Sequence, residues 1–247
     1  MLIRISGDEC MGQKETEMFI ELYKKLEKIA EDKYPRNNAH FDSLVVKLSN
    51  EPQFRAYKSK LDYCRDVRNL LSHNTKIQGD FAVEPSPKMV DLLEKLIEEL
   101  KNPPKAFDFM IKRQLIFYAA MDDLVLPIMK QMQIHTYTHV PILDNNIITG
   151  VFSENTLFQY LLENGIAEIA ESTKVREFEK YLPINKHITE AFRYISRTSL
   201  LFDVKQMFEN AYSNTECLNM IFITENGISS EKLLGVITPW DVLGKAH

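Results

Sequence analysis

Apolar residues in the first hundred positions recur every three or four residues. Between residues 16 and 34, Phe19, Leu22, Leu26, Ile29 and Ala30 keep that spacing, with Lys24, Lys25, Glu27, Lys28 and Glu31 largely on the other side. Such a stripe predicts an amphipathic helix. Pro35-Arg36-Asn37-Asn38 ends it, a short second helix is expected over 41–48, and Ser49-Asn50-Glu51-Pro52 supplies a stop and a new start. A third helix carries Phe54, Tyr57, Leu61, Cys64, Val67 and Leu71 on one face and Arg65, Arg68, Asn69 and Ser72 on the other, and Asn74 and Gly79 end it. Ser86-Pro87 starts a fourth, whose stripe is Val90, Leu93, Ile97 and Leu100, and Asn102-Pro103-Pro104 closes it. Residues 1–103 therefore read as an all-helical bundle.

From Pro103 the period changes, and short strands alternate with helices. A strand is expected over 114–118 and a helix over 123–133 with Leu124, Ile128 and Met132 inward. A hairpin follows over 137–143 and 147–152, turning at Asp144-Asn145-Asn146. Ser153 opens a closing helix. A second copy begins near 174–178, a segment comparable with 105–109. It continues through a strand at 193–196, a helix at 201–210, a strand at 218–224, a turn through Gly227 and Glu231, and a strand at 233–238. Both copies end alike: Gly150-Val151-Phe152-Ser153-Glu154-Asn155-Thr156 reads as a degraded form of Gly235-Val236-Ile237-Thr238-Pro239-Trp240-Asp241. Self-similarity at a long period means tandem modules. The expected fold is α+β, with a helical bundle at 1–103 and two β-α-β-β-α repeats at 104–172 and 173–247.

Composition is that of an ordinary globular protein, with 45% hydrophobic and 26% charged residues among 247. No stretch has the apolar length of a membrane span, so a cytoplasmic location and no membrane partner are expected. Cys10, Cys64 and Cys217 are few, odd in number and far apart, which fits reduced thiols and gives no metal-ligand spacing. Cys64 falls on an apolar stripe and reads as core. The formal charge of -5 does not invite nucleic acid overall. Lys47, Arg55, Lys58, Lys60, Arg65, Arg68 and Lys76 nonetheless make one basic window, either a binding surface or a solvated helix face.

The repeated ending carries the candidate chemistry. A strand delivering the chain to a helix start presents free N–H groups that favour an anion. A carboxylate three residues on, Asp241, can accept from both hydroxyls of a ribose, so Thr238 and Asp241 together would hold a nucleotide. Thr238, Pro239 and Asp241 equally suit the N-cap, first and third positions of a capped helix. His135 and His139 read as the approach to a strand rather than a zinc pair, since no carboxylate or thiol partner is evident in the sequence, and no metal is expected.

Thr138-His139-Val140-Pro141-Ile142-Leu143-Asp144 with Gly150 to Ser153, and the later Gly235 to Asp241, resemble a tandem pair of CBS domains. The resemblance implies clefts that bind AMP, ADP, ATP or S-adenosylmethionine and regulate an attached domain. Thr238 and Asp241 match the family's ribose clamp, and Val140, Ser153 and Ile221 fall at the other cleft positions. In the first repeat only the hydroxyl of Ser153 remains, with Thr156 in the acidic place; Phe222 replaces the proline of the second strand motif. Arg68-Asn69-Leu70-Leu71-Ser72-His73 resembles the Arg-x-x-x-x-His signature of HEPN domains, helical bundles that are often dimeric and in some cases metal-independent ribonucleases. That resemblance makes Arg68, Asn69 and His73 candidate catalytic residues acting on RNA, with His73 transferring a proton and Arg68 steadying phosphate charge. The leading expectation is an adenosine-nucleotide sensor controlling a helical output or dimerisation domain, and a homodimer. The alternatives are a gated ribonuclease and a purely structural module.

Overall fold

The computed structural model of the chain describes residues 9–34, 44–73, 81, 83–165 and 168–242. Two compact units divide at Pro103/Pro104. The fold is α+β.

The described part of the first unit is helical: α1 (Glu9–Lys33), α2 (Leu44–Ser49), a 3-10 turn at Pro52–Tyr57 running into α3 (Lys58–His73), and α4 (Pro87–Lys101). The three- and four-residue stripes are what hold it together. Phe19, Leu26, Ala30, Leu48, Leu61, Cys64 and Leu93 are wholly buried in one cluster. Each such large side chain contributes roughly 1.5–3 kcal/mol of gross burial free energy. Pro87 occupies the first turn of α4 after an extended Ser86, where a residue without an N–H loses nothing. Burial pushes the Cys64 thiol up to about 11, as befits an inert core residue. The break at 35–38, the end signals Asn74 and Gly79, and Cys10's side chain lie outside what is described.

In the second unit each repeat builds a small sheet backed by helices. The first comprises α5 (Val125–His135), β2 (His139–Asp144), β3 (Ile147–Ser153) and α6 (Glu154–Asn164), and the second β4 (Ala191–Ser196), α7 (Leu201–Ser213), β5 (Leu218–Thr224), β6 (Gly235–Ile237) and α8 (Pro239–Val242). A short β1 (Ile111–Lys112) precedes them. Strands β2 and β3 pair antiparallel around Asn145 and Asn146, both at positive φ, the backbone that a tight two-residue hairpin requires. The other sheet has the order β1-β6-β5-β4, in which β4 and β5 run parallel and the remaining pairs antiparallel.

Two expectations are corrected. Residues 114–118 are not a strand: Arg113–Leu115 form a 3-10 turn, and Leu115 and Tyr118 face outward. The guanidinium of Arg113 lies 3.9 Å from the centre of the Tyr118 ring and donates to Asn146 Oδ1, while the half-buried Ile116 and Phe117 pack against the cores from an irregular backbone that pairs with no described strand. Only Ala119 reaches β2, through Ala119 N to Pro141 O and Leu143 N to Ala119 O. Leu124 does not point inward either. It is extended, immediately before α5, and 41% exposed, while Val125 is fully buried in its stead.

The repeats exchange their leading segments. Lys105 bridges Leu200 and Leu124 bridges Lys174. The backbone bonds match pairwise: Ala106 N to Ser199 O is answered by Val175 N to Asp123 O, and Leu201 N to Pro104 O by Val125 N to Thr173 O. Ala106 is accordingly buried in the second repeat's core, and Val175, Phe178 and Leu182 in the first's. The two glycines of the repeated ending lie where these segments cross. A Cβ on Gly150 would sit 2.5 Å from Leu182 O, and one on Gly235 would sit 2.7 Å from Ile111 O.

Candidate functional site

Both repeated endings close on the same local bond, in which the third helical side chain reaches back to the backbone N–H of the cap residue. In the second repeat, Asp241 Oδ2 accepts from Thr238 N and from Thr238 Oγ1, each at 2.7 Å. In the first, Thr156 Oγ1 accepts from Ser153 N at 3.0 Å, and Thr156 N donates to Ser153 Oγ at 3.3 Å. The capping geometry anticipated from the spacing is therefore present at both endings. Their surroundings differ. Thr238 and Asp241 are partly exposed beside the open Trp240, whereas Ser153 and Thr156 are buried.

The first ending is closed over by a cluster that sequence reading did not find. Glu190, just before β4, places its carboxylate at the first turn of α6. Its Oε1 accepts from His139 Nε2 (3.0 Å) and Asn155 Nδ2 (2.9 Å), and its Oε2 from His187 Nδ1 (2.7 Å) and Ser153 Oγ (2.8 Å). With two bonds on each oxygen, the carboxylate has its full complement of donors. Side-chain exposures of 9% for His139, 1% for His187 and 6% for Glu190 show that water has little part in it. Burial alone would raise the Glu190 pKa. Hydrogen bonds from His139, His187 and Ser153 reverse that and hold the carboxyl far below the usual range. The ring of Phe192 meets both imidazoles edge-on. One signal was legible: His139 begins a strand whose next four residues are apolar, on the face that Leu143 shares. Its partners lie far along the chain, on the exchanged segment.

Val140 and Ile221 have fully buried side chains in the apolar cores, so what they can offer a cleft is backbone. A cavity of about 440 Å³ lies on the first repeat among Met129, Met132, Tyr137, Thr138, Glu154 and Leu157. It does not include Thr238 or Asp241. His135 stacks on Tyr137 and takes no part in the Glu190 cluster. Among the described residues no group of three or more His, Cys, Asp or Glu is arranged to hold a metal ion, and no helix is long and apolar enough to cross a membrane.

In the helical unit, Arg68 is tied down. Its guanidinium donates to Glu27 Oε1 at 3.0 Å and lies over the Tyr23 ring, joining α3 to α1. Burial, and then the charge of Glu27, raises the Tyr23 pKa. Asn69 is exposed on the same helix. The side chain of His73 lies outside the described set. Within the basic window, Arg65 meets Asp62 and Asp66, Lys58 meets Asp62, and Lys47 lies over the Tyr34 ring.

No family model and no curated protein matches the sequence. Comparison with solved structures returns CBS-domain proteins. CBSX2 in complex with AMP is 17% identical over 58% of this chain and 96% of its own, with a TM-score of 0.40. A hemolysin-like protein containing a CBS domain from Oenococcus oeni is 14% identical over 62% of this chain and 96% of its own, with a TM-score of 0.39. The CBS domain of a bacterial CNNM/CorC family Mg2+ transporter in complex with ATP is 14% identical over 61% of this chain and 93% of its own, also with a TM-score of 0.39.

Proposed function

We propose that residues 104–247 act as a CBS pair that binds an adenosine nucleotide, AMP, ADP or ATP, or S-adenosylmethionine, at the Thr238–Asp241 ending and thereby regulates the helical unit. The observation that carries this reading is the contrast between the endings. The carboxylate of Asp241 is partly exposed and rests on Thr238 alone among the described residues, whereas its counterpart in the first repeat is a buried threonine beside an internal carboxylate. A ribose needs an acceptor that faces solvent. Asp241 meets that requirement and Thr156 does not.

The helical unit is read as the controlled, self-associating element of a homodimer. The bond from Arg68 to Glu27 supports a joining role for Arg68 rather than the ribonuclease role that the HEPN resemblance implies. Calorimetric titration of the full chain with AMP, ADP, ATP and S-adenosylmethionine tests the reading. One ligand per chain, with affinity lost in Asp241→Ala and kept in Thr156→Ala, is the expected result. Equal affinity in wild type and Asp241→Ala would overturn it. Light scattering that gives a monomer at high micromolar concentration would overturn the dimer, and RNA cleavage abolished by Arg68→Ala and His73→Ala would restore the enzyme.

A further inference from the structure

The hydroxyl at each repeated ending donates to a carboxylate, but the two carboxylates come from different places. Thr238 Oγ1 donates to Asp241 Oδ2 at 2.7 Å, three residues on in the same turn. Ser153 Oγ donates to Glu190 Oε2 at 2.8 Å, 37 positions away on the exchanged segment. Where the first repeat has Thr156 in the acidic place, the missing charge is delivered across the cleft by the other repeat. Its arrival from outside changes what the carboxylate can do. Asp241 is partly exposed and bonds to Thr238 alone among the described residues, so it keeps lone pairs for a guest. Glu190 has none left, since His139 Nε2 and Asn155 Nδ2 occupy one oxygen and His187 Nδ1 and Ser153 Oγ the other.

Three of these four donors, on His139, Ser153 and Asn155, belong to the first repeat and reach across to a group that is not part of it. Side-chain donors that converge from several elements on one oxyanion, out of reach of water, are what an oxyanion-binding site consists of. The segment that carries Glu190 has other moorings. Val151 N donates to Leu182 O at 2.9 Å, and Ala191 N to Cys217 O at 2.7 Å, so the chain on either side of the carboxylate is held by backbone bonds. We propose that His139, Ser153, Asn155 and His187 form a carboxylate-binding site that the chain fills with its own Glu190, so that the first cleft is plugged from within by a tethered stand-in for a ligand. An anionic ligand could enter only by displacing a group whose tether holds it at an effective concentration on the order of millimolar or higher, and by leaving that group's charge buried and unpaired. The plug stands whether or not Thr238 and Asp241 receive a nucleotide.

The test is to unplug the site and offer it a free carboxylate. Glu190→Ala removes two carbons and two oxygens, the heavy atoms of acetate. Melting of the full-length variant is followed at neutral pH in sodium acetate and in sodium chloride of equal ionic strength. Acetate should raise the midpoint saturably by several degrees, as a ligand bound by the folded state alone does, and chloride should not. Wild type, its site already filled, should show no saturable shift in either salt. Adding Asn155→Ala to Glu190→Ala takes away one donor, and about tenfold more acetate should then be needed for the same shift. If Glu190→Ala does not fold in chloride, acetate should restore its folding, as read by circular dichroism. Acetate that does no more than chloride for Glu190→Ala, the same saturable shift in wild type, or an unaltered acetate requirement in the double variant would each overturn the proposal. No adenosine compound enters the test, so a failure here is distinct from a failure at Thr238 and Asp241.

Discussion

Replacing Gly150 with alanine should loosen the join between the repeats by an amount that follows from the crossing geometry. The added methyl would meet Leu182 O at 2.5 Å, and Leu182 C and Cβ at 2.8 Å each. Two of these atoms are backbone and cannot rotate away. Overpacking of this kind costs roughly 1–3 kcal/mol, and pushing Leu182 outward weakens its bond from Val151 N, at about 1 kcal/mol. Lower entropy of the unfolded chain returns about 0.4–1 kcal/mol. The net loss is roughly 1–3.5 kcal/mol, a fall of about 3–11 °C in the melting of the second unit. Gly235→Ala meets backbone as well, Ile111 O at 2.7 Å, but its nearest neighbour is the side chain of Met110. Met110→Ala should therefore rescue part of the loss at Gly235 and none at Gly150. Differential scanning calorimetry of wild type, both single variants and the two double variants measures this, with any separate transition of the helical unit as an internal reference. A Gly150→Ala protein that melts within about 1 °C of wild type would refute the reasoning, since neither glycine has a positive φ to provide another role.

Other outcomes follow from single contacts. Asp241→Ala should weaken adenosine-nucleotide binding by about tenfold or more in calorimetry, and lower the melting temperature of the ligand-free protein slightly, by about 1 kcal/mol of capping. For Glu190, whose folded pKa lies below its unfolded value, stability is in full force above about pH 5 and is lost as pH falls below about 4.3, with a slope of up to about 1.4 kcal/mol per pH unit. Glu190→Gln should be less stable at pH 7, and its deficit should shrink on acidification to pH 3, as followed by urea denaturation. Arg68→Ala should destabilise the helical unit by about 1 kcal/mol, through the lost Glu27 bond and Tyr23 contact, and Arg68→Lys should restore little, since it lacks the planar face.

Much of the fold can be read because its signals are local. The hairpin of β2 and β3 follows from alternation, and Asn145-Asn146 supplies the positive-φ turn. The helical stripes fixed the first core because burial there repeats every turn. The run from Gln114 to Tyr118 misled because apolar residues can pack on a core from an irregular segment as well as from a strand, as Ile116 and Phe117 do while Leu115 and Tyr118 face outward. Thr238 and Asp241 were legible as a pair three residues apart. The Glu190 cluster was not, since His139 and Glu190 meet across 51 positions and only the exchange of segments brings them together. The glycines of the repeat were visible as a motif, but not as crossing points, because what crosses them comes from the other copy.

That exchange also governs the order in which the chain can mature as it leaves the ribosome. The first repeat cannot seal when α6 emerges, because its core still lacks Val175, Phe178 and Leu182. The segment bearing Ala106 and β1 waits longer, until Val236 arrives to pair with Ile111. Contacts between ends so distant form late and slowly. Through that interval Ala106, Met110 and Ile111 have no lasting cover, which is when a nascent chain is most open to chaperones and to self-association. The first copy's core has all its parts once Leu182 has emerged, whereas the second's is complete only when Ile237 and Val242 arrive, so the copies close in sequence.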